Sequence, residues 1–404
     1  MSKETRFVAA QIRAMLALTL ACGALAAEGK ADPASTTSEA SRKTDGKAGE
    51  PADRDLIPEA RALLKYMESQ YGKRTLSAVN GGGDHKAADM LHEVSGVWPA
   101  IQALDLSGWN SPTWGKNYTL VIQRSIDAAK AWGEKGGIVS MQFHWKNPMN
   151  DQGSAWKGKP QGAPVFKVAN YATPGSAEHK AFMDDLKKHA GYLQNLADAR
   201  VPVLWRPFHE IDGGWFWWTD KEEPENTPKL WRMMFDYLVK ERRLHNLIWV
   251  YSAGIYPGAL ATKSGKYNID PNLPVGEEIA FRRRYYPGEK YVDIAGIDIY
   301  SGFPKTGYGS AMTDTYAKGF AIMEQVAPGK MIALSECEAM LDPELLVKNG
   351  PKWLYVLPWW GANPPKTFPP DWNKRTYSHG LLIKLDELPH DLLHGTRPTT
   401  KPAK

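Results

Sequence analysis

Two glutamates, Glu210 and Glu336, stand where short apolar runs give way to polar and aromatic residues. The first ends Arg206-Pro207-Phe208-His209-Glu210, and the second ends Ala333-Leu334-Ser335-Glu336. Two carboxyl groups flanking one bond are what cleavage of a glycoside needs. One must be protonated to donate to the leaving oxygen, and the other ionised to attack or to activate water. A Glu followed by apolar and aromatic residues is desolvated, which favours its protonated form and suits Glu210 to the acid role. A structural ion pair between Glu210 and Arg206 is the plain alternative. Sugar C–H faces pack on flat apolar rings. Trp109, Trp114, Trp145, Trp215, Trp217, Trp218, Trp359 and Trp360 offer such rings, some of them owed to ordinary core packing.

These residues need a scaffold that brings distant strand ends together. Short apolar runs alternate with helical patterns along the chain, the signature of parallel βα units. Strands are predicted over 75–80, 98–106, 137–145, 201–210, 247–252, 294–300, 331–336 and 353–359, and helices over 118–133, 177–199, 228–243, 313–326 and 343–348. That alternation predicts an α/β fold, a (β/α)8 TIM barrel in one catalytic domain, with chemistry at the C-terminal strand ends. His144, His209, Tyr300 and Trp359 stand at such ends beside the two glutamates. An open doubly wound sheet is the competing arrangement. Gly81-Gly82-Gly83 is followed by Asp84-His85-Lys86, with no GKS/T or GxGxxG, so a nucleotide site has weak support.

Composition sets the outer limits. The chain has 404 residues, 43% hydrophobic and 24% charged, which excludes a wholly disordered or fibrous protein. Two cysteines exclude a disulfide scaffold, and a net charge of +5 does not argue for nucleic acid. Residues 1–27 combine Lys3, Arg6 and Arg13 with a short apolar run and read as a secretory signal peptide. Cys22 sits in an imperfect lipobox, Leu18-Thr19-Leu20-Ala21-Cys22, and a lipid there is the sole membrane attachment expected. Secretion in a bacterium therefore means periplasm, cell surface or medium. Residues 28–54 read as a flexible linker, 55–395 as the catalytic domain and 396–404 as a tail.

The segment Trp205-Arg206-Pro207-Phe208-His209-Glu210-Ile211-Asp212-Gly213-Gly214-Trp215-Phe216-Trp217-Trp218 resembles the strand-4 motif of glycoside hydrolase family 26, whose main members are β-mannanases. Phe143-His144-Trp145 with Asn147-Pro148, the run from Tyr291 to Tyr300, and Ala333 to Glu336 resemble its strand-3, strand-6 and strand-7 segments in order. The resemblance implies a retaining endo-acting enzyme on mannan-type polysaccharide. In it Glu210 is the acid/base and Glu336 the nucleophile. Tyr300 bonds the nucleophile, Trp359 floors the central subsite, and His144, His209 and Trp215 lie nearby. His209 would leave room for the axial 2-hydroxyl of mannose. No cofactor and no metal are implied.

Three positions depart from that pattern. Asp212 stands where Asn is usual, Cys337-Glu338 replaces a small residue and Gly, and Trp360 replaces Arg. The same family includes enzymes of mixed-linkage β-glucan and of β-1,3-xylan, which are the alternative substrates. A non-catalytic carbohydrate-binding barrel would keep the indoles but need neither glutamate. A metallohydrolase would use His144, His209, Asp298 and His379, whose spacing matches no metal motif.

Overall fold

The computed structural model describes residues 50–107, 118–150, 154–158, 164–255, 274–300, 310–359 and 371–393. The expected signal peptide with Cys22, nearly all of the linker, Trp109, Trp114, Trp360 and the tail lie outside these residues.

Helix α1 (Pro58–Gln70) leads into β1 (Thr75–Asn80). There follow α2 (Lys86–Ser95), β2 (Ile101–Asp105), α3 (Tyr118–Glu134), β3 (Ile138–Gln142), α4 (Ala177–Asp198) and β4 (Val203–Arg206). The second half runs α5 (Asn226–Phe235), β5 (Leu247–Ile255), α6 (Val275–Arg283), β6 (Ile294–Ile299), α7 (Ser310–Val326), β7 (Met331–Cys337), α8 (Pro343–Asn349) and β8 (Tyr355–Pro358). A short α9 (Trp372–Tyr377) and β9 (Leu382–Ile383) complete it. Strands β1 to β8 pair in parallel in chain order, and β1 pairs with both β2 and β8, so the sheet closes into a (β/α)8 barrel. β9 adds to β1 outside that count.

Every strand is buried on both faces, as a barrel sheathed in helices requires. Side chains alternate about each strand. One set, including Val139, Met141, Trp205, Trp249, Ile297 and Leu334, packs under the helices. The other set, including Leu76, Ala78, Leu204, Ile248, Val250 and Ala333, fills the barrel, joined by Ala60, Leu63 and Met67 of α1. Pro58 suits the first turn of α1, where its missing N–H costs nothing.

Five of the eight predicted strands overran their C-terminal ends, whereas 75–80 matched β1, and 247–252 and 331–336 stopped short of the ends of β5 and β7. The strand expected over 201–210 stops at Arg206, because Phe208 and Glu210 turn into the left-handed region with φ of 48° and 50°. The helix expected over 228–243 is α5 plus a π-helical turn, Asp236–Glu241. The linker boundary at 54 also shifts. Ala52 N–H donates to Asp293 at 2.7 Å, and the buried Asp53 meets His245 Nδ1 at 2.9 Å, so these residues are docked on the barrel.

Candidate active site

The alternation that fills the barrel with apolar residues continues to its C-terminal mouth, where it delivers polar ones. Asp105, Gln142, Arg206, Ser252 and Asp298 each extend the inward-facing row of their strand and are almost wholly buried. Arg206 is the hub. Its Nη1 donates to Asp298 Oδ2 at 2.9 Å, and its Nη2 donates to Gln142 and to Glu336. Asp298 Oδ1 also accepts from Ser252 at 2.8 Å and Ser335 at 2.6 Å. Arg206 is thus committed to Glu336 and Asp298, not to Glu210.

Glu336 reaches this hub through an irregularity in β7. Leu334 pairs with Ile297, yet Glu336 pairs with Asp298, so Ser335 is one residue too many on its strand. Such a bulge re-aims the side chains that follow it. Here it lets both Ser335 and Glu336 face the barrel interior. Tyr300 Oη donates to Glu336 Oε2 at 2.7 Å. Arg206, His144 and Tyr300 favour the ionised carboxylate. Burial, reinforced by the negative charge of Asp298, outweighs them and pushes Glu336 up to about 7.

Glu210 is held differently. Trp215 Nε1 donates to its Oε2 at 2.5 Å. The indole can lie there because residue 213 is glycine: a Cβ on Gly213 would come within 2.2 Å of the Trp215 ring. Ile211 N–H donates to Ser252 carbonyl at 3.1 Å, tying the loop to β5. Carboxyl oxygens of Glu210, Asp298 and Glu336 approach within 4.8 Å of one another. Three carboxylates so placed could ligate a cation, but Arg206 already supplies positive charge to two of them. His379 is not among them; its Nδ1 accepts from Leu381 N–H at 3.0 Å.

A third wall comes from β2 and β3. Asp105 Oδ2 meets His144 Nδ1 at 2.5 Å, and His144 Nε2 faces His209 Nε2 at 3.1 Å. His209 Nδ1 is buried with no partner. A proton left there would be an unsatisfied buried donor, so it belongs on Nε2, pointing at His144. His144 then carries its own proton on Nδ1, toward Asp105. Burial holds the His209 imidazole well below its usual range, helped by His144 and Arg206. Burial raises Asp105, but His144 and Ser107 outweigh it and hold that carboxyl low. His209 Nε2 is thus taken up by His144.

The described indoles around the site are all buried and differ in degree. Trp145 donates to Asp185 at 2.6 Å, Trp217 to the Trp145 carbonyl at 2.7 Å, and Trp218 to the His209 carbonyl at 3.2 Å, all three within the core. Trp215 and Trp359 keep some exposure, and the Trp359 ring lies 5.5 Å from that of His144. Glu338 is buried, accepting from Tyr316 Oη at 3.3 Å. Asp105, Gln142 and the hub role of Arg206 were missed from sequence. Extending the inward-facing parity of each strand to its last residue would have found all three.

A closed parallel barrel with an indole-held glutamate on β4's exit and an arginine-tethered glutamate on β7 defines a (β/α)8 glycoside hydrolase. The matching family model is more specific. It covers residues 53–387, and the chain belongs to glycosyl hydrolase family 26. A mannan endo-1,4-beta-mannosidase of Thermothelomyces thermophilus is 32% identical over 336 residues, 81% of this chain and 61% of that protein. A Bacillus subtilis enzyme of the same name is 29% identical over 74% of this chain and 78% of its own. The crystal structure of a beta-mannanase from a symbiotic protist of the termite Reticulitermes speratus, complexed with gluco-manno-oligosaccharide, superposes with a TM-score of 0.67. It is 30% identical, over 85% of this chain and 98% of that one. The chain spans about half to three-fifths of the length of the first curated relatives it matches.

Proposed function

We propose that this protein is a secreted, retaining endo-1,4-β-mannanase. The observation that carries the mechanism is the approach of Glu210 and Glu336 oxygens to within 4.8 Å. Retaining glycosidases hold their carboxyl groups about 5–5.5 Å apart, whereas inverting ones leave about 6.5–9.5 Å for a water. In the first step Glu336 attacks the anomeric carbon while Glu210 gives its proton to the departing glycosidic oxygen. In the second, Glu210 takes a proton from water, which displaces Glu336 from the sugar. Arg206 and Tyr300 stabilise the carboxylate that leaves. Trp359 and His144 line the reacting sugar, with Asp105 fixing the His144 ring.

The substrate reading rests on the relatives named for mannan and on the strand-4 motif. Residues 1–27 serve as the secretory leader, and Cys22 is where a lipid would attach. Protein lacking residues 1–49 should release manno-oligosaccharides from galactomannan or glucomannan without added metal. Cleavage of mixed-linkage glucan or β-1,3-xylan alone would overturn the substrate, leaving the carboxylate mechanism. Binding without new reducing ends would overturn the enzyme reading. The product's anomeric configuration, followed by NMR during early hydrolysis, tests retention.

A further inference from the structure

Asp212 lies two residues beyond Glu210 and is fully buried. Its Oδ1 accepts from Gly254 N–H at 2.8 Å, and its Oδ2 is paired with the guanidinium of Arg282 on α6. The same Arg282 Nη1 donates to the Gly254 carbonyl at 3.1 Å. Both polar groups of the Gly254 backbone are therefore held by this one pair. Arg282 is secured in turn by Glu278 at 3.0 Å, and Glu278 by Lys318 at 3.3 Å.

Gly254 is the point where β5 passes under the acid/base candidate. A Cβ there would lie 3.1 Å from Glu210 Cβ and 3.2 Å from the Trp215 ring that donates to Glu210. Glu210 itself has a φ of 50°, a conformation that a side chain with a Cβ keeps only when its surroundings enforce it. With Arg282 opposite, a carboxylate matches this position better than the amide usual in the family's pattern. Both Gly254 and Arg282 present N–H groups to residue 212, so an amide would turn its own N–H₂ against one of them. A buried carboxylate without Arg282 would lack its counter-charge.

We propose that Asp212 and Arg282 are a matched positioning pair that fixes Gly254, and through it the backbone and aim of Glu210. This rests on Glu210 acting as the acid. Neither residue touches the sugar. Their loss weakens proton donation while leaving attack by Glu336 in place.

The test compares kcat/KM on aryl β-glycosides of mannobiose with good and poor leaving groups, since only poor ones need the proton. Asp212→Asn should lose on the order of 100-fold on the poor leaving group, the scale expected when a reacting group is misplaced by about 1 Å. On 2,4-dinitrophenolate the loss should stay below about fivefold, because departure there needs little acid. Asp212→Asn with Arg282→Gln restores donor–acceptor matching around Gly254 and should regain most of the activity. Equal losses on both leaving groups in folded protein would overturn the proposal, as would wild-type rates. If Asp212→Asn does not fold, Gly254→Ala decides, because it presses on Glu210 directly: a uniform loss overturns the proposal there too. Glu210→Ala runs alongside. A leaving-group-independent loss in that variant would sink the acid assignment itself, whereas a dependent loss there with a uniform one in Asp212→Asn would sink the positioning pair alone.

Discussion

Asp298→Asn tests the electrostatics of Glu336, the proposed nucleophile. Asp298 and Glu336 share Arg206, and their oxygens lie within 4.8 Å. Two unit charges at that distance repel by about 3 kcal/mol at an effective dielectric near 20, and by about 1 kcal/mol in water. Each 1.36 kcal/mol shifts a pKa by about one, so removing the charge should lower Glu336 by roughly one to two pH units. The sign follows from Glu336 being needed ionised: activity is lost as pH falls through its pKa. The acid limb of kcat/KM, expected near pH 7 in the wild type because Glu336 is pushed up to about 7, should move down. Asparagine fits without steric change. Its oxygen can take the Arg206 N–H while its N–H₂ faces the Ser252 and Ser335 hydroxyls, which rotate to accept. The assay is the initial rate at low substrate from pH 4 to pH 8. An acid limb that stays in place, or rises, would refute the account.

Other outcomes follow from the same geometry. Glu210→Ala and Glu336→Ala should each lower turnover by at least about 100-fold with the fold intact. Azide should then give a retained glycosyl azide from the first and an inverted one from Glu336→Gly; matching configurations would contradict the roles. Trp359→Ala removes the small ring face left open to a sugar, on the order of 20 Å², about 0.5 kcal/mol or roughly twofold in kcat/KM. An unchanged kcat/KM would make Trp359 a packing residue. Asp105→Asn should lower kcat/KM by about 10–100-fold by freeing the His144 ring, with little change in melting temperature. Buried His189 is held down to about 4 by desolvation, so the unfolded chain takes its proton first and stability falls between about pH 6.5 and 4. The loss is on the order of 3 kcal/mol. In urea titrations His189→Phe should flatten that fall; an unchanged slope would contradict it.

The strand ladder was legible because all eight strands are apolar on both faces and bounded by turn residues. Glu210 and Glu336 were legible because a carboxylate directly after such a run needs an explanation. What escaped the sequence depends on geometry that no short window contains. Arg206 sits close to Glu210 along the chain, which suggested a pair between them, yet the β4 exit turns Glu210 away while Arg206 points inward to Asp298, 92 residues on. The extra residue at Ser335 is visible only in the pairing with β6. Asp212 read as a departure touching substrate or loop. Its partner, Arg282, lies 70 residues away on a helix that the weak apolar periodicity of its segment did not announce. Trp145, Trp217 and Trp218 look like Trp215 in composition, and packing alone separates wall from platform.

Phe208 and Glu210, both left-handed, stand two residues apart on the loop that carries the proposed acid. Each conformation costs a side chain with a Cβ roughly 1–2 kcal/mol. Selection for persistence alone would have removed them, since glycine or asparagine there lightens the strain. A lineage released from keeping the proposed acid in place should therefore be free to drift at 208 and 210, becoming hardier as it becomes inert. Heat-challenge libraries scored only for surviving protein should enrich the same replacements. Any campaign to toughen this barrel has to screen for turnover whenever it alters 208 or 210, whereas Arg200 and Arg243, with φ of 57° and 55° and no place in the site, offer the same relief without that risk.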